Sequence, residues 1–283
     1  MEQLFNEART PLDTNRMELL SDEGSEFIVY KYLESVIKLY KKDYQLSHLS
    51  LIELNFLKTI ITQRILLPTG TVWNSNHELS GYEMPLIRGQ RSLEYDSIST
   101  FFEELEILKQ DLELLCSNLV ILRDINLSNT IYNGHLYLVD PGNYLIGEID
   151  KIIAHTNIAN PTIAEKLYRI LKEDSYAKIK ILADSLSQSE RQSLVREWNY
   201  DKINKLIDML LFSKIGSTDP FKYRQIVQFM MQERARKEFI YSLDVLRMYF
   251  DTSLSIGDAT DNFIKRYIKD DSEERKLFLS LYK

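Results

Sequence analysis

The chain has 283 residues, of which 44% are hydrophobic, and this is enough to build a sizeable core divided between two packed lobes. Its formal charge of -7, from 35 Lys and Arg against 42 Asp and Glu, argues against nucleic-acid binding through bulk charge. The sequence shows no 18-residue apolar run, no signal-peptide pattern, no CxxC or HExxH motif, and a single cysteine, Cys116. We therefore expect a soluble cytoplasmic protein that has no internal disulfide and no membrane or nucleic-acid partner.

The first predicted elements form a hairpin. Residues 27–41 hold two β-branched and aromatic runs on either side of residues 33–35, a pattern typical of two antiparallel strands. Period-two alternation in the second run places Val36, Lys38 and Tyr40 on one face of the strand. A lysine is thus predicted to lie among apolar neighbours, where it is costly unless it is paired.

The next region predicts one helix and two further strands. Residues 47–66 have the apolar spacing of an amphipathic helix, and Glu53 is its only acid. Short apolar runs at 71–73 and 81–89 are bounded by Gly and Pro, which is typical of strands that lead into a connector.

A long helix and a second hairpin follow. Residues 98–119 carry leucines three or four apart and predict the clearest helix of the chain. The apolar runs 130–132 and 135–139 are joined by residues 133–134, an Asn-Gly pair. This pair is the strongest short hairpin signal, and it predicts a turn in which both residues have positive φ.

Beyond residue 150 the patterns are helical. The predicted helices lie near 161–172, 175–186, 188–213, 221–250 and 260–282. A strand-rich start and a helical remainder indicate an α+β protein of two unequal lobes. The predicted boundaries are 1–87 for the smaller, β-rich lobe and 88–283 for the larger, mostly helical lobe, which carries the hairpin at 120–142.

Three polar side chains bracket the second hairpin. Asn129 precedes its first strand and Asp140 follows its second, so both lie at the open end, and Asp124 comes from the preceding loop. Two carboxylates and an amide offer the hard oxygen ligands that magnesium prefers, usually together with phosphate oxygens. The alternative is structural, because Asp and Asn in such places also cap loops and turns.

The spacing of these residues resembles the protein-kinase-like superfamily, which includes protein kinases and aminoglycoside phosphotransferases. The pattern D-x-x-x-x-N, an apolar hairpin and D-x-G is similar to the catalytic loop and metal-binding turn of that family. Residues 24–29 resemble part of its glycine-rich turn, residues 35–38 its lysine strand, and Glu53 its helix glutamate. Residues 81–87 look like its last small-lobe strand and hinge. The resemblance spans about residues 20–145 and implies a bilobal protein-kinase-like fold.

The resemblance implies a role for each matched residue. Lys38 would hold the α- and β-phosphates of ATP, and Glu53 would fix the lysine. Asp124 would orient or deprotonate the acceptor hydroxyl, while Asn129 and Asp140 would bind Mg²⁺. Phosphoryl transfer depends mainly on positioning and charge neutralisation, which these groups can supply.

The nucleotide-binding residues are implied in the same way. Besides Lys38, they are Gly24, Val29, Val36, Met84 and Leu86, with Met84 to Leu86 beside the adenine.

The sequence departs from the family pattern at supporting positions. Leu122 stands in place of a histidine, Pro141 in place of a phenylalanine, and Asp22 and Phe27 in place of two glycines. The last two imply a bulkier and more acidic cover over the phosphates. All residues with direct chemical duties remain, so we favour a working kinase over a pseudokinase that serves as a binding module.

The acceptor is the least determined part of the prediction. The Leu-Arg-Asp form ending at Asp124 is closer to the His-Arg-Asp of protein kinases than to the His-Gly-Asp of small-molecule enzymes. We therefore favour protein Ser/Thr phosphorylation, with an aminoglycoside-type acceptor as the alternative. Tyr144 and Thr156 are candidate sites of regulatory phosphorylation in the segment after Asp140.

Overall fold

The computed structural model of the chain describes residues 3–24, 26–41, 48–89, 98–140, 144–155, 165–166, 168–170 and 176–214. The helices predicted at 221–250 and 260–282 lie outside the described residues, as do Pro141 and Thr156.

An antiparallel sheet of six strands makes up the first part of the protein, in the order β1-β5-β6-β4-β3-β2. The strands are β1 Leu4–Phe5, β2 Met17–Ser21, β3 Phe27–Tyr32, β4 Ser35–Tyr40, β5 Gly70–Asn74 and β6 Leu79–Pro85. The predicted hairpin is confirmed, with β3 paired to β4 from Phe27 opposite Tyr40 to Tyr32 opposite Ser35. Its turn contains Leu33, whose φ is 56°.

The two faces of β4 enter different cores, as the alternation predicts. Ile37 is buried in a small cluster with Leu4, Leu12 and Val72, on the face covered by the N-terminal segment. Val36 and Tyr40 lie on the other face of β4 and pack against the main core. The residue between them on this second face, Lys38, is therefore held against the larger part of the molecule.

The first helix, α1 Leu51–Leu57, is much shorter than the predicted helix at 47–66. Ser50 caps its start, and Lys58 ends it. Residues 63–66 have other partners, since Ile65 forms a parallel bridge with Leu138. The apolar residues in this segment therefore contact a distant strand and do not continue the helix.

Helices and two small sheets follow the hinge. They are α2 Ile98–Ser117, β7 Val120–Ile121, β8 Thr130–Tyr132, β9 Leu136–Leu138, β10 Leu145–Ile146, α3 Ile149–His155, α4 Tyr176–Ser185 and α5 Gln188–Lys214. A one-turn 3-10 helix at Leu127–Asn129 precedes β8. The main core joins these elements to the sheet, because α2, α5 and the hairpin bury leucines together with Tyr82 and Met84 of β6.

The β8–β9 hairpin is confirmed, but its turn is longer than predicted. Tyr132 pairs with Leu136, and the Asn133 N–H donates to the His135 carbonyl at 3.2 Å, which leaves three residues in the loop. Gly134 has a φ of 94°, and Asn133 does not have positive φ. The Asn-Gly pair therefore serves a three-residue loop with glycine at the left-handed position, rather than a two-residue turn.

The predicted α+β class is confirmed: an antiparallel sheet comes first and helices follow, in the order of a bilobal kinase-like fold. The boundary between residues 87 and 88 stays a prediction. Within the described ranges, every helix is too short or too polar to cross a membrane.

Candidate functional site

A cavity of about 1060 Å³ opens between the sheet and the β8–β9 hairpin. Its wall includes almost all of the residues that the sequence predicts for a site: Gly24, Val29, Val36, Lys38, Met84, Leu86, Asp124, Asn129 and Asp140. Glu53 is absent from this wall among the residues described. The fold thus brings side chains separated by more than a hundred positions to one space.

Lys38 is the buried cation of this cavity. Its side chain is only 5% exposed, and its Nζ lies 2.6 Å from Oδ1 of Asp140, whose side chain is 38% exposed. The rings of Phe27 and Tyr82 lie 5.4 and 5.9 Å from Nζ, within the range of cation–π attraction. Apart from the Asp140 carboxylate, Nζ has no hydrogen-bond partner among the described residues. A buried ammonium with unused donors is suited to an anionic ligand.

The predicted pairing of Glu53 with Lys38 is wrong for this structure. Glu53 is the third residue of α1, and its Oε2 accepts from the Ser50 N–H at 2.7 Å. The Ser50 Oγ in turn accepts from the Glu53 N–H at 3.2 Å, which completes a capping box. Because α1 begins at Leu51, Glu53 falls in its first turn and serves the helix end, while Asp140 pairs with Lys38.

The loop before the hairpin holds Asp124 through two amides. Asn126 Nδ2 donates to Asp124 Oδ1 at 2.6 Å. Asn129 Nδ2 donates to Asp124 Oδ2 at 3.1 Å and to its backbone carbonyl at 3.0 Å. With its nitrogen engaged in this way, Asn129 has its side-chain oxygen left as the atom able to bind a cation.

The open end of the hairpin brings Asn129 beside Asp140. Thr130 pairs with Leu138, and the Val139 N–H donates to the Asn129 carbonyl at 2.9 Å, so that Asp140 follows directly. This is the convergence that the hairpin pattern predicts. The described residues contain no group of three His, Cys, Asp or Glu suited to a metal. Two carboxylates and one amide fit Mg²⁺ only if a ligand supplies further oxygens, as phosphates do.

Helix α5 supports the loop that precedes the β8–β9 hairpin, which the sequence patterns do not predict. The buried Asn199 accepts from the Leu122 N–H at 2.9 Å through Oδ1 and donates to the Val120 carbonyl at 3.0 Å. Trp198 Nε1 donates to the Leu122 carbonyl at 3.2 Å. The backbone of Leu122 is therefore braced on both sides although its side chain is apolar. The only sequence signal for these contacts is the Trp198-Asn199 pair in an amphipathic pattern.

Helix α2 supports the hairpin and the segment after α1 through two buried acids. Asp111 accepts from the backbone N–H groups of Gln63, Arg64 and Ile65. Glu104 accepts from Arg64 Nε at 2.8 Å, from His135 Nδ1 at 2.9 Å and from the Leu136 N–H at 2.9 Å. Burial alone raises the pKa of Glu104, but the hydrogen bonds from Arg64 and His135 outweigh it and hold that pKa below its usual value.

The thiol of Cys116 lies under the same part of α2. It is buried and accepts from Asn199 Nδ2 at 3.4 Å, and burial raises the pKa of Cys116 to about 12. A buried thiol with a raised pKa favours the protonated form, which is a poor nucleophile.

The hinge after β6 forms one wall of the cavity. Met84 is buried in the main core, whereas Leu86 uses its backbone N–H to donate to the Glu34 carbonyl at 3.1 Å. Arg88 Nη2 lies 2.6 Å from Glu34 Oε1. A Cβ at Gly89 would stand 2.5 Å from the Tyr132 carbonyl oxygen, so the hinge backbone nearly touches β8.

The turn between β2 and β3 also contributes to the cavity wall. Lys41 Nζ donates to the carbonyl of Asp22 and, at 2.6 Å, to that of Gly24. Phe27 and Glu26 line the cavity below this turn. The lysine thus holds a turn that lacks most of the glycines of the family pattern.

The candidate phosphorylation site Tyr144 is contradicted by its position. Its side chain is buried, and its hydroxyl donates to the Leu66 carbonyl at 2.8 Å. Burial raises the pKa of Tyr144 well above its usual value. The hydroxyl therefore anchors the Tyr144 side chain to the Leu66 backbone and is inaccessible to a modifying enzyme.

Comparison with solved structures finds similar chains, and one of them is a viral kinase. No protein-family model matches the chain, and no curated protein matches it. The structure of the kinase PK-1 of Cydia pomonella granulovirus is similar to it, with 17% sequence identity and a TM-score of 0.36. The match covers 76% of this chain and 94% of the viral kinase. The structural similarity is partial.

Proposed function

We propose that this protein is a phosphotransferase that moves the γ-phosphate of ATP to a hydroxyl acceptor. The observation that carries the proposal is the convergence of Lys38, Asp124, Asn129 and Asp140 on one cavity of about 1060 Å³. The size of this cavity is suited to a nucleotide, and its buried lysine is suited to phosphate.

Each residue has a distinct task in this reaction. Lys38 binds the α- and β-phosphates, and Val29, Val36 and Met84 contact the base and sugar. The acceptor oxygen forms a bond to the γ-phosphorus as the bond to the ADP oxygen breaks, and the acceptor proton passes to the Asp124 carboxylate. ADP leaves, and the proton is later released to water.

Asn129 and Asp140 are the residues that would hold Mg²⁺. The ion supplies charge neutralisation at the phosphate oxygens when it is bound. The donor set fits, because Asn129 keeps its side-chain oxygen free of the Asp124 contact and Asp140 is a partly exposed carboxylate. Lys38 would then exchange its contact with Asp140 for one with phosphate.

The charge of the cavity wall supports a protein Ser or Thr acceptor over a polycationic small molecule. The described acidic side chains of the wall are Glu23, Glu26, Asp124 and Asp140, and the basic ones are Lys31, Lys38, Arg88 and Arg123. An aminoglycoside would require a surplus of acids near Asp124, and the two signs are balanced here.

The second candidate is a pseudokinase that binds a partner without turnover. Two contacts favour it: Glu53 is engaged with Ser50, and Lys38 is engaged with Asp140. In such a molecule these contacts would persist, and the cavity would hold nucleotide weakly or not at all.

Magnesium-dependent ADP release, measured with and without protein acceptors, tests the proposal. We expect turnover by the wild type and its loss in Lys38→Ala and in Asp124→Ala. Lys205→Ala is the matched control, because Lys205 pairs with Asp201 on the exposed side of α5. Turnover that survives both site substitutions would refute the proposal, and nucleotide binding without any turnover would favour the pseudokinase.

A further inference from the structure

The amide of Asn126 is the centre of a small hydrogen-bonded network in the loop before β8. Its Oδ1 accepts from the Asn129 N–H at 3.2 Å, as the cap of the 3-10 turn, and also from the hydroxyl of Ser128. Its Nδ2 donates to Asp124 Oδ1 at 2.6 Å. One side chain therefore links the turn that carries Asn129 to the carboxylate of Asp124.

The two amides of this loop hold both oxygens of the Asp124 carboxylate. Asn126 occupies Oδ1, and Asn129 occupies Oδ2 at 3.1 Å. The Asp124 side chain is exposed, so without these donors solvent would leave it free to rotate about its terminal torsion. With one donor on each oxygen, the carboxylate plane is fixed relative to the hairpin.

We propose that Asn126 is a positioning residue for Asp124, which it orients toward the acceptor hydroxyl. This inference rests on the proposed function. Asn126 does not line the described part of the cavity wall, so its contribution is to the alignment of Asp124 and not to nucleotide binding. Loss of alignment at a reacting group lowers kcat and leaves KM for the nucleotide unchanged.

The capping role and the orienting role of Asn126 can be separated by substitution. Aspartate caps a helical turn as well as asparagine does, but it has no N–H to donate and places a second negative charge beside Asp124. Serine also caps, and it cannot replace the amide donor at the same reach. Asn126→Asp and Asn126→Ser therefore keep the turn and remove the Asp124 contact.

Asn74 offers a matched control in the sheet. Its Oδ1 accepts from the N–H groups of Asn76 and Glu78, and its Nδ2 donates to Glu78 Oε2 at 2.8 Å. Asn74→Ala thus removes the same kind of network at a place that does not line the cavity.

We expect kcat to fall about 100-fold in Asn126→Asp and about 10-fold in Asn126→Ser, with KM for ATP within about twofold of wild type. We expect Asn74→Ala to keep the wild-type kcat. The inference is overturned if kcat of Asn126→Asp stays within about twofold of wild type. It is also overturned if Asn74→Ala lowers kcat as much as Asn126→Asp does when the two variants show the same fall in Tm.

A measurement that needs no turnover separates this inference from the proposed function. In side-chain amide NMR spectra of the protein without nucleotide, Asp124→Asn should shift the NH₂ signals of Asn126 and Asn129 and leave those of Asn74 in place. Unshifted Asn126 signals would overturn the positioning role even in an active enzyme. If the signals shift but the wild-type protein has no phosphotransfer activity, the proposed function is refuted and the amide contacts remain established.

Discussion

The loop and hairpin at residues 122–140 and helix α1 are held in place by different means. The loop and hairpin receive buried hydrogen bonds from two helices, through Asn199 on one side and Glu104 on the other. Helix α1 has seven residues, and only Leu54 and Leu57 are buried within it. Ile52 is 82% exposed.

The difference shows that a firmly held site loop and a lightly held helix outside the described cavity wall can occur in the same molecule. Buried hydrogen bonds are directional and costly to break, so they fix the loop that carries Asp124 and Asn129. A seven-residue helix that buries two leucines, with Phe56 partly buried beside them, has fewer constraints on its position. We therefore expect substitutions around the loop to have large effects and those on α1 to have small ones.

The largest effect is expected at Lys38. We expect Lys38→Met to lower kcat about 1000-fold, because a preorganised charge at the phosphates is lost. Its Tm should stay the same or rise, since an apolar residue of similar volume replaces a buried ammonium and Asp140 remains partly solvated. Steady-state kinetics and thermal unfolding of the same samples check both parts. A large fall in Tm would show that the Lys38–Asp140 contact is mainly structural.

A large stability effect is expected at Asp111, the buried acid of α2 that holds the segment after α1. Asp111→Ala leaves three backbone N–H groups without their acceptor, and we expect it to lower the free energy of unfolding by about 3 kcal/mol. Urea unfolding measures this loss. Asp13→Ala is the control, because Asp13 accepts from one exposed N–H, and about 1 kcal/mol is expected there. Equal losses in the two variants would contradict the comparison between buried and exposed carboxylates.

An acid-dependent effect is expected at Glu104. Its folded-state pKa lies below the usual 4.5, so ionised Glu104 stabilises the fold above that pH. This stabilisation is lost as the pH falls through the lowered folded-state pKa. We expect Glu104→Gln to flatten the fall of stability below about pH 4.5, measured by urea unfolding at several pH values. Glu34→Gln is the control, because Glu34 lies in an exposed pair with Arg88. An unchanged slope in Glu104→Gln would contradict the assignment.

The smallest effect is expected on α1. Gln can replace Glu in a capping box, so Glu53→Gln should leave kcat within about twofold of wild type and Tm nearly unchanged. Ser50→Ala should cost about 1 kcal/mol of unfolding free energy, also without a fall in kcat. A loss of kcat of about 100-fold in Glu53→Gln would show that α1 moves during turnover to bring Glu53 to Lys38.

The sequence could predict those parts of the site that local geometry determines. Strand alternation places Lys38 on the inner face of β4, and the hairpin brings Asn129 beside Asp140, because both rules act over a few residues. The length of α1 was overestimated because apolar spacing does not show which partner a segment has. Glu53 can serve either in the cap at Ser50 or in a catalytic role, and the amino-acid sequence is compatible with both.

The supporting residues could not be predicted, because their partners are distant in the chain. Asn199 lies 77 residues from Leu122, whose N–H it accepts. Asp111 is 48 residues from Gln63. A buried Asn or Asp in an amphipathic helix resembles a surface residue until the element that covers it is known.

The hinge and the hairpin meet where Gly89 passes the carbonyl oxygen of Tyr132. A methyl group at that position would lie 2.5 Å from this oxygen, which is inside van der Waals contact. Any side chain there would force the connector and β8 apart. The close approach of this connector to β8 therefore depends on the absence of a side chain at Gly89.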